Sequence, residues 1–166
     1  GFFMGRLSTA LIGFNHKAAY RLFEWDCRRI DIIRTNLNFL KNQTEKDTIL
    51  FFLNQYTENV VPFLHKLRMS VIHNDGNDHN ILINHKHKTF GIIDFGDMIH
   101  SFHIIEPAVA AAYIYLGNQN SFEKIYAFLK GYDTAFTLET IELKLILYFM
   151  CLRLCTTVTM SAWRKK

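Results

Sequence analysis

Proline is nearly absent: Pro62 and Pro107 are the only two in 166 residues. With so few breaks, the Leu-, Ile- and Phe-rich stretches are free to be helical. Cysteine is scarce too. Cys27, Cys151 and Cys155 form no pattern of a disulfide framework, and no secretory signal is present. The expected compartment is therefore the reducing cytoplasm. Cys151 and Cys155 stand one helical turn apart, which fits two core thiols better than a metal pair. No apolar run is long and uninterrupted. The longest, Ile141 to Met160, is broken by Glu142, Lys144 and Arg153, so it reads as a buried helix and not as a membrane span. The chain also lacks a basic stripe interleaved with aromatics, so a nucleic-acid partner is not expected despite the net charge of +4. Repeats and low-complexity segments are missing.

What is present suits one soluble domain. Apolar residues make up 49% and charged residues 20%, enough hydrophobicity for a core and too much for disorder. Phe3, Leu7, Leu11 and Phe14 share a face of a helix over 2–14. A second helical pattern surrounds Trp25 and Ile30 between Phe23 and Asn36. Thr44 is the expected cap of a helix carrying Ile49, Phe52, Leu53, Tyr56 and Val60, which Pro62 restarts. From Ser70 the pattern changes. Val71-Ile72 leads into a polar loop, and Ile81-Leu82-Ile83 and Phe90-Gly91-Ile92-Ile93 read as two strands joined by a turn at 84–88. Beyond Asp97 the chain is expected to be helical again: 106–116, then a helix capped by Ser121 and stopped by Gly131, then one long buried helix over 137–163. The fold class is α+β, mainly helical, with a small β-hairpin. The first helix opens with no cap or strand before it, and the chain is expected to begin inside a larger protein.

Chemistry concentrates in one stretch. His73-Asn74-Asp75-Gly76-Asn77-Asp78-His79-Asn80 has the form H-x-D-x-x-x-x-N, and fourteen residues after Asn80 comes Asp94-Phe95-Gly96. Asn, Asp and Gly also crowd ordinary turns. A chance match of both halves, in order and joined by a hairpin-length strand pair, is the less economical reading. Phosphoryl transfer uses each part. A hydroxyl acceptor needs a carboxylate to orient it and take its proton, and Asp75 is suited to that. Magnesium takes hard oxygen ligands, which Asn80 and Asp94 supply. His73 belongs to the catalytic set as a brace of the loop.

The segment from Val71 to Leu116 resembles the aminoglycoside phosphotransferase and choline kinase superfamily, whose members share the protein-kinase-like fold. Within it, "VIHNDGNDHNILI" and "GIIDFGDMIHS" are most similar to the hydroxylysine kinases and to the phosphotransferase domains joined to bacterial class III aminotransferases. "FEWD" at 23–26 and "MSAW" at 160–163 are similar to the same subgroup. The resemblance implies ATP and Mg2+ as cofactors, Asp75 as catalytic base, and Asn80 and Asp94 as metal- and nucleotide-binding residues. Asp97 falls where the subgroup keeps a second acid, which implies a role in holding the active-site loop or the substrate. Two departures stand out. Where the family carries Asp-Leu-Ala, this chain has Glu106-Pro107-Ala108, which puts the local helix start in question. No glycine-rich phosphate loop and no strand lysine paired with a helix glutamate occur. Residues 1–166 are therefore expected to be the C-terminal catalytic lobe alone, without the N-terminal nucleotide lobe. Such a lobe is expected to self-associate or to need a chain that supplies the other lobe.

The leading expectation is a kinase acting on a small hydroxylated amine, inactive as a lone lobe. The competing ones are a catalytically silent kinase-like binding module, and a metal-dependent hydrolase built on His73 and Asp75. Trp25 and Asp26 offer an aromatic face and a carboxylate for the substrate's amine; they equally suit packing of the first helices. His85 and His87 read as a solvated turn, while His100 and His103 line the pocket or the surface. Arg153, in an apolar helix, either pairs with a buried carboxylate or points into the site.

Overall fold

The computed structural model describes residues 1–117 and 119–165. The apolar periodicity becomes helices packed around two small antiparallel sheets. Helix α1 spans Phe2–Leu11 and packs on α5, Ser121–Ala135. Their approach depends on glycine. A Cβ on Gly5 would stand 2.5 Å from the Tyr132 carbonyl, and one on Gly131 would stand 3.1 Å from the Phe2 nitrogen. Gly131 is thus a packing contact inside α5 and not its stop. Asn120, with φ +56°, precedes the helix in place of Ser121.

Residues 23–29 form turns, and α2 covers only Ile30–Asn36. The expected longer helix is prevented by a local alternative, in which the Asp26 carboxylate accepts from the Arg28 backbone N–H. Helix α3, Gln43–Asn59, is capped by Asn42, whose side chain accepts from the Thr44 N–H at 2.8 Å. The capping oxygen therefore lies two residues before the expected one. Pro62 restarts the chain as a 3-10 turn, Val61–Lys66.

Strand β1, Met69–Ile72, pairs with a strand at Ile99–Phe102, labelled β4 below. This second strand replaces the start of the expected helix after Asp97, and it satisfies the ladder groups of β1. Between them β2, Ile81–Asn84, and β3, Thr89–Ile92, form the expected hairpin. Helix α4, Ile105–Gly117, is buried throughout residues 105–112, and Pro107 sits harmlessly in its first turn.

Helix α6, Thr140–Arg164, closes the core against α2, α3 and α4. It starts at a reciprocal capping box between Glu139 and Glu142, three residues beyond the expected onset. By length and composition alone it could cross a membrane, yet half of its apolar stretch is buried in the protein. Glu142 and Arg153 engage Arg68 and Asp75 in ion pairs, so α6 is a core helix. Phe149, fully buried, meets Tyr56 edge-on at 5.8 Å and Phe102 at 6.1 Å. Phe149→Ala is expected to cost about 3–5 kcal/mol, read as a lower denaturation midpoint with an unchanged slope in urea. A loss under about 1 kcal/mol would contradict this packing.

Candidate active site

The site is built where the loop after β1 and the segment after β3 meet. Hairpin register pairs Ile81 with Ile92, which sets Asn80 beside Ile93. The Ile93 N–H donates to the Asn80 carbonyl at 3.0 Å. His73 joins the same seam. Its Nδ1 accepts from the Asp75 N–H at 3.3 Å, so the ring hydrogen is on Nε2, which donates to the Ile93 carbonyl at 3.1 Å. The imidazole is fully buried and stands edge-on to Phe95 at 5.0 Å. Burial lowers its pKa from the ordinary value, against the Ile93 carbonyl bond and the Asp75, Asp94 and Asp97 charges, which raise it. With both nitrogens engaged, His73 braces the loop and has no lone pair for a metal. This removes the basis of the hydrolase expectation.

Asp75 is the focus of the loop. Its Oδ1 accepts from Arg153 at 2.8 Å, and its Oδ2 accepts from the Asn80 amide at 2.8 Å. The same Asn80 NH2 also reaches the Asp75 carbonyl at 2.9 Å. Because the NH2 must face the carboxylate, the Asn80 Oδ1 is left without a protein hydrogen bond among the described residues.

Asp94 adopts the left-handed conformation, φ +61° and ψ +71°, which Asp tolerates better than most residues. One of its oxygens accepts from the Gly96 N–H at 3.2 Å, and the side chain is exposed. The described residues contain no group of three His, Cys, Asp or Glu able to hold a metal by themselves. The available donors are Asn80 Oδ1 and the Asp94 carboxylate. Two hard oxygens of this kind fit magnesium, which retains waters and takes phosphate oxygens for the rest of its shell.

Asp97 lies in the same electric field. Burial raises its carboxyl pKa first, the Asp75 and Asp94 charges raise it further, and Arg153 and Arg21 oppose them. The remaining candidates fare differently. Asp26 is buried with both oxygens held by Arg28, at 2.7 Å in the ion pair, so no oxygen is left for a substrate amine. Trp25 is flanked by the protein's own cations, Arg153 at 4.9 Å and Arg164 at 5.1 Å from the ring. Of the two expectations for this pair, packing is the one these contacts favour: Asp26 is paired locally with Arg28, and Trp25 faces guanidinium groups. His85 and His87 are exposed in the hairpin turn. His100 stacks on Tyr20 at 4.5 Å, and His103 is buried edge-on against Phe136 at 5.0 Å.

Sequence reasoning misses two residues. It leaves Arg153 between two roles, and Arg153 fills both by pairing with the site carboxylate itself. Glu106 stands out in the sequence only as a departure from the family pattern. It is fully buried at the start of α4, and its Oε2 accepts from the backbone N–H of His73 at 2.6 Å and of Asn74 at 3.3 Å. An acid beside proline at a helix start, placed soon after the second motif, is the available signal.

Burial pushes the Glu106 carboxyl up to about 7 from its ordinary 4.5. The folded protein thus holds this proton more tightly than the unfolded chain does, and stability falls as pH rises between those values. Glu106→Gln keeps an oxygen for the two N–H donors and removes the titration. Its Tm relative to the native protein is expected to rise steadily from pH about 4.5 to about 7, and to stay level on either side. The buried His73 and His103, whose pKa values are lowered, act with the opposite sign and cancel in this difference. A difference independent of pH would contradict the assignment.

Residues 6–140 match the model of the phosphotransferase enzyme family. The chain belongs to that family. Among its relatives is hydroxylysine kinase of Mus musculus, 24% identical over 170 residues that cover 95% of this chain and 45% of that protein. The hydroxylysine kinase of Danio rerio is 23% identical over 165 residues, covering 95% and 46%. The chain spans about half the length of the curated relatives it matches. A solved structure, amicoumacin kinase hAmiN in complex with AMP-PNP, Ca2+ and Ami, superposes with a TM-score of 0.69 at 18% identity. It covers 98% of this chain and 50% of that one. The phosphotransferase fold expected from the sequence, a mainly helical kinase-like lobe with a small hairpin, is the fold observed.

Proposed function

We propose that this chain is the catalytic lobe of an ATP-dependent small-molecule kinase, which moves the γ-phosphate to a hydroxyl of a small amino-bearing molecule such as hydroxylysine. The observation that carries this reading is the joining of Asp75 to Asn80, with Asn80 tied through Ile93 to the segment of Asp94. Asp75 has a lone pair left on each oxygen. An acceptor hydroxyl can donate there and be aimed at the phosphorus, with its proton passing to the carboxylate as the new bond forms. Asn80 and Asp94 would hold Mg2+. When bound, that ion supplies neutralisation of the charge on the transferring phosphoryl group.

Two further features support the reading. Asp97, half-buried near Asp75, is the carboxylate suited to an acceptor's ammonium, because a cation there relieves the repulsion between the two acids. Leu82, Gly91 and Ile93 fall on one face of the hairpin by its pleat, with Leu82 51% and Ile93 46% exposed. Glycine at the centre keeps this apolar platform flat, as a purine ring beside the phosphate site requires. The cationic clamp for the phosphates is not among these residues and would come from a nucleotide lobe. The chain by itself should therefore turn over far more slowly than a protein containing both lobes. The relatives named hydroxylysine kinase motivate the choice of acceptor.

The test is 31P NMR of the complete gene product with ATP, magnesium and a panel of hydroxylated amines that includes hydroxylysine. A phosphate monoester on one of them is the expected result. Tight nucleotide binding with no transfer to any acceptor, or to water, would replace this reading with a silent binding module.

A further inference from the structure

We infer that Arg153 is the positioning residue of this site: from the middle of α6 it fixes the Asp75 carboxylate and, through it, the amide of Asn80. The inference rests on the reading of Asp75 as the acceptor-side carboxylate.

Arg153 is 2% exposed, and among the described residues its one carboxylate partner is Asp75. Burying a guanidinium is costly. An ion pair in such a place is often no more stabilising than apolar residues of similar size. Leucine or methionine would continue the apolar pattern of α6 here, so stability alone gives weak grounds for the cation. What the arginine provides is orientation. Its NH2 group donates to Asp75 Oδ1 at 2.8 Å and to the Tyr113 hydroxyl at 3.1 Å, and its NH1 group donates to the Trp25 carbonyl at 3.4 Å. The guanidinium carbon also lies 4.9 Å from the Trp25 ring and 5.4 Å from the Tyr113 ring. Groups from the 23–29 turns, from α4 and from the loop after β1 thus converge on one planar cation. A planar fork with that many partners has a single resting orientation.

The consequence passes along covalent geometry. With Oδ1 pinned by Arg153, rotation of the Asp75 carboxylate is blocked, and Oδ2 is presented to the Asn80 NH2. That contact and the Asp75 backbone carbonyl, 2.9 Å from the same NH2, together determine which way the Asn80 amide faces, and therefore where its Oδ1 points. Buried as it is, Arg153 orients the acceptor-side carboxylate directly and reinforces the metal side through it.

The experiment compares Arg153→Lys, Arg153→Met, Asp75→Asn and the Arg153→Met/Asp75→Asn double variant in the complete gene product. Lysine keeps the charge and loses the fork. The methionine variant is expected to lose about 10²-fold in kcat, as a misplaced catalytic group does, with a smaller rise in KM for ATP because the Asp75 carbonyl still holds the Asn80 NH2. Lysine should recover part of the loss. In the Asp75→Asn background, Arg153→Met should cost nothing more in kcat, because the two residues act as a unit. The double variant replaces the ion pair by neutral groups and should melt no lower than Arg153→Met, which shows that folding is intact. Native kcat in folded Arg153→Met, or a further independent loss in the Asp75→Asn background, would overturn the inference. Native turnover by Asp75→Asn would instead remove the reading of Asp75 on which it rests, and the two failures are told apart by that single variant.

Discussion

Asp75→Asn is expected to lower kcat for phosphoryl transfer by about 10²–10⁴-fold, the range that a positioned general base contributes. The substitution is nearly isosteric and changes little else. The asparagine side chain can still accept from Arg153 at the Oδ1 position, so the buried guanidinium keeps a partner. The position facing the Asn80 NH2 becomes an NH2 itself, and that hydrogen bond is lost. The acceptor hydroxyl loses the charged oxygen that aims it and takes its proton. Because the base acts on the acceptor, and the Asp75 backbone carbonyl still holds the Asn80 NH2 at 2.9 Å, nucleotide affinity should change much less than kcat, and KM for ATP is the internal control. Measurement is by initial rates over a range of ATP and acceptor concentrations, with circular dichroism to confirm the fold. If kcat and kcat/KM both stay within about threefold of native, Asp75 is not the acceptor-side carboxylate.

The distribution of what the sequence revealed follows from range. The hairpin, the H-x-D-x-x-x-x-N loop and the Asp94-Phe95-Gly96 segment are local patterns, written in alternation and spacing, and β2 and β3 fall within a residue of their expected limits. His73 as a brace was legible for the same reason, since its partners Asp75 and Ile93 belong to those motifs. What stayed hidden depends on contacts between distant segments. Arg153 reaches Asp75 across 78 positions, and Glu106 reaches the backbone of His73 across 33. Strand β4 has no clear period of its own and exists because β1 needs a partner. Asp26 is a case of another kind. Its partner Arg28 is two residues away, and a carboxylate with an arginine at that spacing could have been read as a closed local pair. Of the two readings open for Asp26, the turn favours the packing one, because it engages both oxygens.

Asp94→Asn should weaken divalent-ion binding by at least about tenfold, and activity should fall with it, by analogy with the cost of disturbing a metal's ligand set. The choice of asparagine matters because of the backbone. Asp94 sits at φ +61°, where asparagine is tolerated and alanine is strained. The amide oxygen of asparagine can still accept from the Gly96 N–H, as the carboxylate does. What is lost is the negative charge, which the neutral Asn80 Oδ1 cannot replace. Asp94→Gly completes the argument from the opposite direction. Glycine relieves the left-handed conformation, so its melting temperature should equal or exceed that of the native protein. Its ion binding should nevertheless be as poor as that of the asparagine variant, or poorer. Stability and function thus move apart at one residue, which a purely structural role for Asp94 does not allow. Mn2+ with ATP, followed by electron paramagnetic resonance, reads the affinity directly and without turnover, and adding EDTA to the native protein gives the zero level. Equal Mn2+ affinity in the native protein, in Asp94→Asn and in Asp94→Gly would remove Asp94 from the metal site.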